Sequence, residues 1–337
     1  MRGVLQPPAR PVLAIDLGGT LIRAAHLAPD LTVAHRKAIP TMPERGAADV
    51  VRRTCDLARD SRREARAAGR PEPEAVVISA PGPLDPWGGI VHNPSNLPGW
   101  DEVPLAAMTG EALDLPAFLE RDTNVAILAE WQHGAAAGKA NAIYLTVSTG
   151  VGGSFILNSR LLQGADDSAG EIGHITVDLS GSDLDAGLPG HVESIASGAA
   201  LARAGAAALA QGDAPVLAGL LADGAPLDAR MVAAAADAGD PACLAILERA
   251  WLAVGALCAG LVNAVNPDVI VVGGGIADHR PDLHAAIRTE IARRAFSRPA
   301  RRAHVERPHF GEDVSLVGAV PLVAQRFDDP AYRRPAG

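Results

Sequence analysis

A chain of 337 residues, 48% hydrophobic and 20% charged with only 3% aromatics, is long enough for two globular domains and too apolar for disorder. Its formal charge of -9 and the lack of a sustained Lys/Arg stripe exclude a nucleic-acid surface, because neutralising phosphates needs clustered cations. Cys55, Cys243 and Cys258 are odd in number, far apart and without CxxC spacing, so neither a disulfide framework nor a thiolate metal site is expected, and a reducing cytoplasmic compartment fits. Met1-Arg2-Gly3 opens no apolar signal core. The longest apolar run, Ala250 to Val265, is broken by Gly255 and Gly260 and falls short of the ~20 residues that cross a bilayer. It is expected to be a buried helix, with no membrane partner.

In chain order, Val12 to Ile15 is a short apolar strand that runs into Asp16-Leu17-Gly18-Gly19-Thr20, and Leu21 to Leu27 resumes a strand pattern, so a hairpin with a glycine-rich turn is expected. Asp49 to Ala68 reads as a helix closed by Gly69. Ala75 to Ala80 is a buried strand, and Pro81-Gly82-Pro83 breaks it into a long loop through Asn93-Pro94-Ser95-Asn96-Leu97-Pro98-Gly99-Trp100. Loops of that length inside compact domains usually bind something. Ala117 to Glu120 forms the next strand, after which Asp122-Thr123-Asn124 can cap a helix from Val125 to about Ala137.

The first pattern then recurs. Ala142 to Val147, the turn Ser148-Thr149-Gly150-Val151-Gly152-Gly153 and Ser154 to Leu157 make a second apolar hairpin with glycines at its tip. Asp240-Pro241 has the chemistry of a helix start, and the helix it opens should stop before Asn266-Pro267. Asp268 to Val272 is a strand delivering Gly273-Gly274-Gly275; a helix from Pro281 to Phe296, a strand near Val305 and a terminal helix from about Gly318 close the chain. Two such hairpins suggest duplicated α/β domains facing each other, with a cleft between them as the natural site.

The glycine turns carry the first chemical signal. Without side chains they let backbone N–H groups approach an anion, Thr20 and Thr149 add hydroxyl donors, and Asp16 can hold Mg²⁺ through water. Each alone reads equally well as a tight β-turn; the pair, with Gly18, Gly19, Gly150 and Gly152, reads as a clamp on a polyphosphate. Gly274 and Gly275 follow a strand where a nucleotide base or ribose could lie, or where strand and helix simply pack closely.

Taken in order, DLGGT, APGPLD with NLPGW, RDTNVAILAE, STGVGG, AGEIGH with a later Glu, and VVGGG resemble the ROK family of repressors, open reading frames and sugar kinases, over about Leu13 to Leu322. The resemblance implies an α/β, actin-like ATPase (ribonuclease H-like) fold of two domains with a central cleft. The first would run over 11–122, rejoined by a terminal helix at 318–337, and the second over 123–317.

It also implies ATP-dependent phosphorylation of a hexose, glucose first, at the 6-hydroxyl. Asp122 becomes the general base, where the residues alone favour a helix cap. Glu171, His174 and Glu193 become sugar ligands, MgATP the cofactor, and a homodimer the assembly. Two departures stand out. Aligned on Glu193, Leu184, Ala186 and His191 replace the three cysteines of a structural zinc site common in the family, so no zinc is expected. Arg121 stands where the family commonly has a sugar-touching Asn, which leaves open an inactive sugar-binding protein. A ROK-type regulator would need a winged helix-turn-helix ahead of Asp16, for which some fifteen residues with three prolines leave no room.

Overall fold

The computed structural model describes residues 9–94, 96–181 and 189–329, and the chain divides into two compact units. The first takes in Met1–Ala137, Leu161–Ala169 and Glu312–Gly337; the second takes in Gly138–Arg160 and Gly170–Gly311. The sequence placed the first boundary after Asp122, whereas the helix that Asp122 opens stays with the first unit.

The first unit starts with β1 (Val12–Leu17), β2 (Leu21–Leu27) and β3 (Val33–Pro40), an antiparallel meander. Helix α1 (Ala47–Ala67) then crosses to β4 (Ala75–Ala80), and after the small hairpin of β5 (Leu84–Asp85) and β6 (Ile90–Val91), α2 (Leu105–Leu113) crosses to β7 (Ala117–Arg121). The sheet order is β3-β2-β1-β4-β7, with β1, β4 and β7 parallel. All six residues of β1 and of β4 are buried, as strands covered on both faces must be. β3 alternates half-buried and exposed residues at the sheet edge, with Arg36 and Lys37 among them. Helix α3 (Asp122–His133) follows β7 directly, with Thr123 through Glu130 buried, three residues earlier than the capping pattern suggested.

The second unit repeats the plan. β8 (Ala142–Val147), β9 (Val151–Leu157) and β10 (Arg160–Leu161) form the antiparallel part. A helical region follows, α4 (Val192–Ala196), α5 (Gly198–Gln211), α6 (Pro215–Leu220), α7 (Ala229–Asp237) and α8 (Pro241–Val265). β11 (Val269–Gly273), α9 (Gly275–His279), α10 (Pro281–Arg294), α11 (Ser297–Arg302) and β12 (His304–Glu306) complete it. The order β10-β9-β8-β11-β12, with β8, β11 and β12 parallel, matches the first sheet position for position. The duplication read from the hairpins is thus a duplication of topology. At 25 residues α8 is longer than its apolar run and is long and apolar enough to cross a bilayer. Leu247, Trp251, Val254, Leu257 and Val262 are nonetheless buried in the second unit's core, which accounts for their apolarity. Cys243 and Cys258 lie in the same core, where burial pushes their thiols up to about 11 and about 12, so they stay protonated and inert.

After the second unit the chain returns to the first as α12 (Val314–Val317) and α13 (Ala319–Arg326). Both lie against α3.

One buried carboxylate organises the helical layer of the second unit. Asp240 is fully buried and caps two helices: its Oδ1 accepts from Ala242 and Cys243 N–H (both 3.1 Å) at the start of α8, and its Oδ2 from Val216 (3.0 Å) and Leu217 (3.2 Å) at the start of α6. Burial pushes this carboxyl up, but the backbone donors outweigh it and hold its pKa below 3.8. Its contribution is therefore present above that value and lost as pH falls through the folded-state value. Asp240→Ala is expected to lower the unfolding free energy by about 2 kcal/mol in urea titrations at pH 7. Asp240→Asn should lose less, and its deficit should shrink below pH 3.8; a deficit unchanged at low pH would contradict this reading.

Candidate active site

In the first unit the residues singled out by the sequence lie at the carboxyl ends of the parallel strands, the usual place for ligands in such sheets. Asp16, 8% exposed, lies at the end of β1, and the ladder pairs it across the hairpin with Arg23. Arg23 Nε donates to Asp16 Oδ2 at 2.9 Å, while Oδ1 accepts no hydrogen bond among the described residues. Arg23 also donates to the carbonyl of Glu312. The turn between β1 and β2 is closed by Gly18 N–H to Leu21 O (3.0 Å), and Thr41 Oγ donates to Gly18 O at 2.7 Å. A Cβ on Gly19 would stand 2.9 Å from Asn96 Cβ, so the long loop packs directly on this turn. Buried Leu97 and Trp100 anchor that loop.

The register relates this turn to the proposed base. Asp16 pairs with Ser79 and Ser79 with Glu120, which puts Asp16 and Glu120 level and about 10 Å apart across two strand spacings. Asp122 is two residues further on, half-buried, as the first residue of α3, where its Oδ1 accepts Thr123 N–H at 2.7 Å. Arg121, 4% exposed, takes the N-cap position with extended backbone, and its Nη1 donates to Ala169 O at 2.6 Å. Glu120, 1% exposed, points into the interior instead. It accepts Arg121 N–H (2.8 Å) and Asn124 Nδ2 (2.9 Å) and forms an ion pair with buried Arg326 of α13.

In the second unit the predicted residues gather around the β8–β9 turn. Ser148 N–H bonds Gly150 O (2.9 Å), so Thr149 sits at the tip. Ser148 O accepts Gly198 N–H (2.8 Å) from the first turn of α5. Glu193 of α4, half-buried, accepts Val151 N–H at 2.8 Å through Oε2. Glu171 and His174 are exposed, the first capping and the second ending a 3₁₀ turn at Ile172–His174, where Gly173 lies so close to the Val151 carbonyl that a Cβ would overlap it. Gly152 lies within β9. Gly274 adopts φ 98°, and a Cβ there would meet Thr146 Oγ at 2.5 Å and Val147 O at 2.7 Å, so the Gly273–Gly275 turn packs on the end of β8. Gly275 N-terminates α9 above Ser148, whose Oγ is 3.6 Å from where its Cβ would be.

The ROK family model matches residues 12–326. The chain belongs to the ROK family. It is 31% identical to the glucokinase of Halalkalibacterium halodurans over 93% of this chain and 95% of that one. It is 32% identical to the N-acetylmannosamine kinase of Escherichia coli O157:H7 over 93% and 98%. A ROK glucokinase of Streptomyces griseus, solved in complex with glucose and AMPPNP, is 30% identical with TM-score 0.77, over 94% of this chain and 99% of that one. The ROK chain described here is a sugar kinase with the actin-like ATPase fold.

The described ends of the 174–193 segment are joined by backbone pairing. Thr176 and His191 form an isolated antiparallel bridge, Gly190 O accepts Val177 N–H (2.8 Å), and Ile175 O accepts Val192 N–H (3.1 Å). The rings of His174 and His191 meet edge to face, 5.6 Å between centroids. Among the described residues no group of three His, Cys, Asp or Glu could hold a metal; Leu184, Ala186 and Gly187 lie outside the described residues.

Sequence reasoning missed Arg23, Asn96 and the Glu120–Arg326 pair. Pairing the hairpin residue by residue would have found Arg23; nothing local links positions 206 apart. Because breaking a buried pair strands one charge, Arg326→Met is expected to cost about 3–5 kcal/mol of stability by urea denaturation. Adding Glu120→Gln should recover part of that loss, and a double variant no more stable than Arg326→Met would refute the pairing argument.

Proposed function

We propose that this kinase transfers the γ-phosphate of MgATP to a hexose, glucose first, at the 6-hydroxyl, with Asp122 as general base. The observation that carries the base assignment is the division of labour at the end of β7. Glu120 is buried against Arg326, while Asp122, two residues on and half-buried, opens α3 at the carboxyl edge of the sheet, level with the Asp16 turn. A sugar hydroxyl becomes a competent nucleophile as its proton leaves, and a carboxylate within hydrogen-bond reach accepts that proton.

Glu171, His174 and Glu193 are read as sugar ligands: carboxylates accept from pairs of adjacent hydroxyls, and an imidazole adds a donor or acceptor. The backbone of Gly18, Gly19, Gly150 and Gly152, with the hydroxyls of Thr20 and Thr149, is read as the polyphosphate cradle, and Gly274 and Gly275 as the floor beneath the nucleoside. Asp16 fits a Mg²⁺ held through water, since the carboxylate keeps one oxygen uncommitted and this ion retains most of its waters. When bound, the ion would neutralise charge on the phosphates. Glucose and N-acetylmannosamine kinases among the relatives support hexose recognition. A homodimer working in the cytosol, without structural zinc, completes the reading.

Arg121, whose guanidinium donates to the Ala169 carbonyl, is read as a brace at the start of α3.

The test is a coupled ADP-release assay across glucose, fructose, mannose, N-acetylmannosamine and N-acetylglucosamine. Asp122→Asn should lower kcat on the order of 10²–10⁴-fold with little change in the sugar KM. Full activity in Asp122→Asn would defeat the base assignment, and no turnover of any sugar by the wild type would defeat the proposal as a whole.

A further inference from the structure

Glu193 engages more than a sugar could require of it. Its Oε2 accepts the Val151 N–H at 2.8 Å, while Oε1 accepts nothing among the described residues. The turn it touches is also held from the other side: Gly198 N–H, five residues along the same stretch of chain, donates to Ser148 O at 2.8 Å. The segment from Val192 to Gly198 therefore grips the Ser148–Val151 turn twice, once at an amide and once at a carbonyl. Gly150 makes the first grip possible, because a Cβ there would stand 2.7 Å from Glu193 Oε2 and push the carboxylate away. Gly173 of the sugar segment abuts the carbonyl of the same residue, Val151, and its Cβ position is 3.4 Å from Glu193 Cβ.

We propose that Glu193 is a positioning residue for the phosphate turn as well as a sugar ligand, and that it couples sugar occupancy to nucleotide affinity. The inference rests on the kinase reading above. One carboxylate oxygen holds the amide that fixes the turn, and the other remains for a sugar hydroxyl. A sugar that immobilises this side chain removes its rotamer freedom before the nucleotide arrives, so the second ligand binds a turn already set. Coupling of this kind is reciprocal and typically about 5-fold or more in affinity.

The experiment is isothermal titration of the full chain with AMPPNP and Mg²⁺, with and without saturating glucose. In the wild type glucose should tighten AMPPNP about 5-fold or more. Glu193→Ala should weaken AMPPNP about 10-fold in the absence of any sugar, as loss of a charge-assisted bond to the turn implies, and should abolish the enhancement. Glu193→Gln keeps an oxygen for the Val151 N–H, so it should retain most of the sugar-free AMPPNP affinity while weakening glucose. Gly150→Ala, which leaves Glu193 in the chain but displaces its carboxylate, should reproduce the loss of enhancement; thermal melts identify any variant that fails to fold.

Unchanged sugar-free AMPPNP affinity in a folded Glu193→Ala would make Glu193 a sugar ligand alone and overturn this inference while leaving the kinase reading intact. A wild type that binds no AMPPNP would instead overturn both.

Discussion

The contact on which the second unit depends is the flush packing of the Val151 backbone between its neighbours. Its carbonyl lies against Gly173 and its N–H is bonded to Glu193, so the β8–β9 turn, the Gly170–His174 segment and α4 meet at one residue. Such contacts exist only where no Cβ intervenes, and they make the relative placement of the three motifs rigid to within a hydrogen-bond length. Separate readings of STGVGG, AGEIGH and the later Glu therefore describe one object. A kinase needs this rigidity because phosphoryl transfer is catalysed mainly by positioning and charge, and a displaced donor forfeits most of its effect.

The same economy holds along the 174–193 segment. The Thr176–His191 bridge and the bonds to the Gly190 and Ile175 carbonyls fix its described ends through the backbone. Backbone bonds depend little on residue type. Glu193, whose own bond to Val151 adds a further tether, is therefore held by groups that most side chains would leave intact.

How much of this was legible in the sequence follows from how each element earns its stability. β1, β4 and β11 are buried apolar runs and were read directly, as were the hairpins, because glycine between two such runs is a local signal. β3 escaped because an edge strand needs no apolar alternation, and Arg36 and Lys37 disguise it. Helices α5 and α6 escaped because Ala-rich segments show little contrast between faces, and the start of α6 is set by the distant Asp240. Among the site residues, Asp16, Glu193 and the glycines were legible as motif members. Arg23 required the strand register, and Glu120–Arg326 required the return of the chain to its first unit.

That return bears on the position of Asp122. Strand β7 ends and α3 begins with no loop between them, so successive side chains leave the backbone in directions set by the change from extended to helical geometry. Glu120 turns inward and meets Arg326, and α13 and α12 lie along α3, with Gly318 close against the Val125 carbonyl. The helix is thereby fixed at both its first turn and its flank, and Asp122 inherits that fixed position. Its side chain stands at a helix N-terminus, where unpaired amides favour a negative charge. A carboxylate at the strand ends and outside the buried ion pair is thus placed by a core that does not include it.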